Sequence, residues 1–131
     1  MRVENLKELV NSVAEYEKSY DRLLAETTNA LPHVKLILGE PFFADGRTTD
    51  PHIDEWKKIM PQVDAVVEKL GKKYHAPVIP YQKLFEEAFR RAPENYWIWD
   101  GIHPTYAGHE LMADELLRTY TAFYGAPKDG N

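Results

Sequence analysis

An acid, a glycine and an imidazole stand close together in Trp99-Asp100-Gly101-Ile102-His103-Pro104-Thr105. In a loop, Gly101 permits the tight backbone turn that brings the Asp100 carboxylate back to the His103 ring. A carboxylate bonded to Nδ1 fixes the imidazole tautomer and leaves Nε2 free as a general base. Pro104 then pre-sets the first turn of a following helix. The chemistry of such a pair is proton transfer to and from a nucleophile. The spacing leaves a plainer reading open, because Asp-Gly is a common turn and His-Pro commonly leads into a helix.

The other polar candidates are weaker. The histidines are His33, His52, His75, His103 and His109, and none forms the i, i+4 pair of a helical zinc site. Asp100, His103 and His109 converging on an ion is the metal alternative, but His109 more simply packs or hydrogen-bonds in the first turn of a helix. The absence of cysteine excludes disulfides, thiolate metal sites and a cysteine nucleophile. No metal and no cofactor are therefore expected. The only serines are Ser12 and Ser19, both inside an amphipathic helical pattern where exposed positions are the expected role.

The elements that must position Asp100 and His103 are legible as alternating helices and strands. Leu6, Leu9, Val10, Val13, Tyr16, Tyr20, Leu23 and Leu24 recur with helical spacing, and this helix should end near Asn29 before Leu31-Pro32. Val34–Leu38, closed by Gly39, is a short apolar run of the buried parallel-strand type. Glu40–Gly46 is a loop carrying Phe42 and Phe43, which either line a pocket or plug the end of the core. Ile53, Trp56, Ile59, Met60, Val63, Val66, Val67 and Leu70 predict a second helix, kinked or broken at Pro61 and disrupted from Gly71. Ala76–Pro80 is a second strand, and its flanking prolines place it at an edge. Tyr81–Arg91 is a short helix, Ala92–His103 a loop, and Thr105–Phe123 a last helix with Leu111, Met112, Leu116, Leu117, Tyr120 and Phe123 inward. The segment 125–131 is expected to be a frayed tail.

This order implies an α/β layer fold with parallel strands near 34–38 and 77–79 and covering helices. Two strands are few, since a sheet of this class has about five. The 131 residues suit a single domain. The net charge of −5 is spread without a basic face, against nucleic-acid binding. No apolar run reaches membrane-spanning length, so no membrane partner is expected. The first residues open into a charged amphipathic pattern rather than a signal peptide. The cytoplasm is the default compartment, with secretion of a longer parent left open.

The block Asp100-Gly101-Ile102-His103-Pro104-Thr105, followed by Ala107-Gly108-His109, resembles the last conserved block of the SGNH, or GDSL, serine esterases and lipases. Lys35-Leu36-Ile37-Leu38-Gly39-Glu40-Pro41-Phe42 is similar to that family's fourth strand and the pocket loop after it, and Ala76–Tyr81 to its last strand. Trp97-Ile98-Trp99 resembles the branch that includes acetyl-xylan esterases. The resemblance covers Leu6–Phe123 and implies the C-terminal half of a three-layer α/β/α, flavodoxin-like domain. It implies that Asp100 and His103 are the triad aspartate and histidine of an ester hydrolase forming an acyl-enzyme. Glu40, Phe42, Phe43, Trp97 and Trp99 become the candidate substrate pocket, for a small ester such as an acetylated carbohydrate.

The sequence departs from the family at its first blocks. No Gly-Asp-Ser follows a strand, and no Gly-x-Asn-Asp segment supplies oxyanion donors. Removing a triad nucleophile costs several orders of magnitude in rate, so these residues alone are expected to be inactive or very weak. The alternative is a non-catalytic module that self-associates: an uncovered apolar strand recruits another strand, and two copies pairing along 34–38 would form a two-fold homo-oligomer.

Overall fold

The computed structural model describes the backbone of residues 6–126 and side chains from residue 11. Helix α1 spans Leu6–Ala30, strand β1 Leu38–Gly39, α2 Ile53–Lys73, β2 Val78–Ile79, α3 Tyr81–Ala88, α4 Glu94–Trp97 and α5 Tyr106–Tyr124. The expected inward roles of Leu6, Leu9 and Val10, and most of the tail over 125–131, lie outside the described residues.

The two strands are parallel neighbours, with Leu38 opposite Val78 and Gly39 opposite Ile79. The expected run over 34–38 contributes only its end to the ladder. The reason lies in its partner: β2 is bounded by Pro77 and Pro80, which have no N–H to donate. The Leu38 and Glu40 amides still donate to the Pro77 and Ile79 carbonyls, at 3.0 and 2.9 Å. Upstream, the Tyr124 hydroxyl of α5 replaces a strand partner, accepting from the Leu36 amide at 3.1 Å and donating to its carbonyl at 2.7 Å.

Helix α2 runs unbroken through Pro61 and past Gly71 to Lys73. Pro61 sits on the exposed face, so the bond it cannot make falls toward solvent. Val66, Val67 and Leu70 from α2 bury against Leu24 of α1, Leu38 of β1 and Ala76. Each such side chain contributes about 1.5–3 kcal/mol on leaving water. A second cluster lies beneath the Asp100 loop and joins Ala44, Phe85 and Ala88 to Trp97 and Ile98. The expected Ala92–His103 loop contains the one-turn α4 and an isolated antiparallel bridge between Ile98 and Pro104.

The α5 helix starts at an N-cap, where the Thr105 hydroxyl accepts from the Gly108 amide at 3.2 Å. A cap of this kind is worth about 1 kcal/mol. Leu111 and Met112 pack on the second cluster. Leu116, Leu117 and Phe123, expected inward, are exposed. Helical spacing marks an apolar stripe but not what covers it, and among the described residues nothing does. No helix among those residues is long and apolar enough to cross a membrane.

Candidate active site

Two loops meet at Asp100. The first follows β1 and carries Ala44–Asp50; the second runs from α4 to α5. The Ala44 amide donates to the Gly101 carbonyl at 2.9 Å, and the Thr48 amide donates to the Asp100 carbonyl at 2.9 Å. Gly46 lies so close that a Cβ there would stand 2.6 Å from the Asp100 carbonyl oxygen. Gly101 has φ +104°, a conformation that side chains disfavour. Beneath it, the fully buried Thr49 donates its hydroxyl to the Ala44 carbonyl.

This clasp buries the Asp100 carboxylate and supplies it with four donors. Oδ1 accepts from the Ile102 and His103 amides, at 3.0 and 2.8 Å. Oδ2 lies 2.6 Å from His103 Nδ1 and accepts from the Thr48 hydroxyl at 3.0 Å. Burial pushes the Asp100 carboxyl up, but the two amides, the His103 ring and the Thr48 hydroxyl outweigh it. The group is held well below the ordinary carboxylate range and stays ionised. An ionised carboxylate only accepts, so Nδ1 must carry the proton and Nε2 is left as the basic nitrogen. The Asp100 side chain is 4% exposed and that of His103 60% exposed. The aspartate is thus sequestered and the imidazole presented.

Of the five candidate pocket residues, Trp99 is the one stacked on His103, with centroids 5.7 Å apart and planes 20° off parallel. The Arg47 guanidinium lies over the Trp99 ring at 5.8 Å. Trp97 is buried in the second cluster, its indole N–H without a partner among the described residues, and Arg91 covers its ring. Phe42 packs on Phe85 at 4.7 Å. Phe43 stacks on Trp56 at 6.0 Å and lines a cleft of about 190 Å³, shared with Lys57, Met60, Pro61, Asp64, Gln82 and Glu86, whose walls do not include His103. Glu40 is buried just past β1. Burial, a hydrogen bond to Glu68 and the charges of Asp64 and Glu68 push its carboxyl up to about 8, against the opposing Lys83. Asp64 is likewise raised to about 6, by burial first and then by Glu68 and Glu86.

His109 is exposed on α5, and its amide donates to the Thr105 carbonyl at 2.8 Å. Among the described residues no group of three or more acidic or histidine side chains is arranged to hold a metal. Ser12 and Ser19 are exposed on α1, which packs on α2. Arg47 and Thr48 escaped the sequence reading. Their setting, a turn-rich run over Asp45–Asp50, carried no signal that singled them out.

A profile of the GDSL-like lipase/acylhydrolase family matches residues 7–111. An acetylxylan esterase of Geobacillus stearothermophilus is 31% identical over 105 residues, which make up 79% of this chain and 45% of the esterase. A solved structure described as a GDSL-like lipase from Parabacteroides merdae superposes with a TM-score of 0.77 at 30% identity, over 82% of this chain and 49% of that one. The crystal structure of the Geobacillus esterase superposes with a TM-score of 0.66 at 30% identity, over 82% and 46%. Catalytic mutants of that esterase have a serine, an aspartate or a histidine replaced by alanine. The chain spans about half the length of the relatives it matches. Its two-stranded parallel sheet and covering helices form part of their α/β fold, and the chain belongs to the GDSL-like lipase/acylhydrolase family.

Proposed function

We propose that Asp100 and His103 are the acid–base pair of a serine-type ester hydrolase acting on acetylated carbohydrate, and that the nucleophilic serine comes from polypeptide outside these 131 residues. The observation that carries this reading is the 2.6 Å approach of His103 Nδ1 to a buried Asp100 oxygen, beneath an exposed ring. His103 Nε2 takes the serine proton as the hydroxyl attacks the acyl carbon, then returns it to the departing alcohol. Asp100 holds the ring and stabilises the imidazolium; the same nitrogen then takes a proton from the water that attacks the acyl-enzyme and returns it to the serine oxygen as the acyl–oxygen bond breaks and the acid departs. In the Geobacillus esterase the catalytic aspartate and histidine also lie three positions apart. Its catalytic serine stands more positions ahead of that aspartate than this sequence has residues ahead of Asp100. That relative's name, with the half-exposed Trp99 stacked on His103 and Arg47 over the Trp99 ring, supports an acetylated sugar as substrate.

The test is hydrolysis of p-nitrophenyl acetate by the 131-residue chain and its His103→Ala variant, with a serine-directed phosphonate and mass spectrometry. No His103-dependent turnover and no adduct are expected. His103-dependent turnover with an adduct on Ser12 or Ser19 would place the nucleophile on α1 and overturn the proposal.

Self-association is a second reading, supported by the edge of β1. The Leu38 and Glu40 amides are spent on the second strand, so the backbone groups of Ile37 and Gly39 face the other way. Among the described residues no strand pairs with that edge. A sole monomeric species in size-exclusion chromatography with light scattering would dismiss it.

A further inference from the structure

Asp100 has two carboxylate oxygens with unequal tasks. Oδ1 is occupied by the two amides of its own turn, which follow from the local backbone. Oδ2 is the oxygen that meets His103 Nδ1. A carboxylate pinned at one oxygen by its own loop can still rotate and swing the other oxygen off the ring. The one further hydrogen bond to Oδ2 among the described residues comes from a different loop: the Thr48 hydroxyl, 3.0 Å away and 52 positions earlier in the sequence. The Thr48 amide also holds the Asp100 carbonyl, at 2.9 Å. Thr48 is exposed as a residue, yet its amide and hydroxyl both reach inward to the same aspartate. Its neighbours are fixed independently. The Gly46 amide donates to an Asp50 carboxylate oxygen at 2.9 Å, and Thr49 is fully buried.

We infer that Thr48 is a positioning residue: its hydroxyl fixes the Asp100 Oδ2 atom so that the carboxylate holds His103 in the Nδ1–H tautomer. The inference rests on the acid–base reading of this pair and extends it to the loop after β1. That loop thereby ties the setting of the general base to the segment carrying Arg47, which lies over Trp99. A hydroxyl already donating to Oδ2 also limits the negative charge available to the ring, so the aspartate orients the imidazole without taking its proton.

The experiment reads the tautomer and needs no turnover. Long-range proton–nitrogen spectra of the His103 ring are recorded in the full 131-residue chain with the ring neutral. The wild type should show a protonated Nδ1 and a bare Nε2, with a slowly exchanging Thr48 hydroxyl proton close to the Nδ1 proton. Thr48→Val keeps the shape and removes the donor; the Nε2–H tautomer should rise several-fold. Thr48→Ser restores the donor and should return the wild-type ratio. Unchanged tautomer populations in T48V would overturn the inference, as would equal disturbance in T48V and T48S, which would mark a role of the threonine methyl in packing. Should T48V lose its dispersed amide spectrum, the wild-type hydroxyl proton decides: without a protected Thr48 resonance near the Nδ1 proton the inference fails. An inactive chain whose tautomer depends on Thr48 sustains the inference whatever becomes of the ester-hydrolase reading.

Discussion

The Trp99 indole lies almost flat against the His103 imidazole, 5.7 Å between centroids and 20° between planes. The aspartate sets the ring from its edge and the tryptophan sets it from its face, so the imidazole is held in two directions while remaining exposed. Trp99→Leu removes the ring current and the contact on the face of the imidazole. The His103 carbon-bound protons should move downfield toward their free positions in the proton–carbon spectrum. Trp99 is half exposed, so stability should change by under about 1 kcal/mol. Unmoved His103 resonances would show that the stack is not maintained in solution.

Replacing Asp100 by Asn keeps the size and removes the charge that four donors were arranged to meet. The melting temperature should fall, and its pH dependence fixes the sign. The folded carboxyl lies well below the unfolded value of about 4. Its contribution is therefore present above about pH 4 and declines as pH falls from there toward the folded value. Melting curves of wild type and D100N should be furthest apart near neutrality and converge below about pH 4. A gap of constant width from pH 7 to pH 2 would assign the loss to shape rather than charge.

How much was legible follows from how far apart the partners lie in the sequence. Asp100 and His103 could be read because acid, hinge glycine and imidazole fall within four residues. Helix α2 could be read because Val66, Val67 and Leu70 share one stripe; of the kink or break expected at Pro61, the break into two helices does not occur. Strand length could not be read from 34–38, since it is set by Pro77 and Pro80 across the ladder. Thr48 was hidden for the same reason: its importance lies in an oxygen 52 positions away, and a turn-rich loop looks alike with or without that partner. Aromatic character in Phe42, Phe43, Trp97 and Trp99 did not reveal which ring meets His103 and which serves the core.

Glu40 gives a second pH dependence, opposite in direction. Burial and the neighbouring Glu68 and Asp64 carboxyls raise it to about 8, with Lys83 opposing. In an unfolded chain it ionises near 4.3. Between those values the unfolded state sheds a proton that the folded state keeps, so stability falls as pH rises from about 4.5 to 8 and then levels off. Glu40→Gln should remove this slope. The variant should be more stable than wild type at pH 9, on the order of 1–3 kcal/mol, and nearly equal to it at pH 4. Chemical denaturation at the two pH values is the check; a variant less stable at pH 9 would mean that the Glu40 carboxylate is needed there in its charged form.

Gly46 bears on whether the two loops act as one unit. A Cβ at this position would stand 2.6 Å from both the Asp100 carbonyl oxygen and the Gly101 nitrogen. These are backbone atoms and cannot turn aside as a long side chain would. Either the loop after β1 lifts, or the Asp100 turn shifts. Lifting loosens the Ala44 and Thr48 amides from the Gly101 and Asp100 carbonyls and withdraws the Thr48 hydroxyl from Oδ2. Gly46→Ala should therefore cost about 1–3 kcal/mol in urea unfolding, the range for overpacking against a fixed neighbour. It should also release the Ala44 and Thr48 amides to hydrogen exchange while leaving those within α1 and α2 protected. Faster exchange throughout the chain, helices included, would indicate global destabilisation. Unchanged stability with both amides still protected would mean that the close approach at Gly46 is not kept and that the clasp around Asp100 is looser than its hydrogen bonds imply.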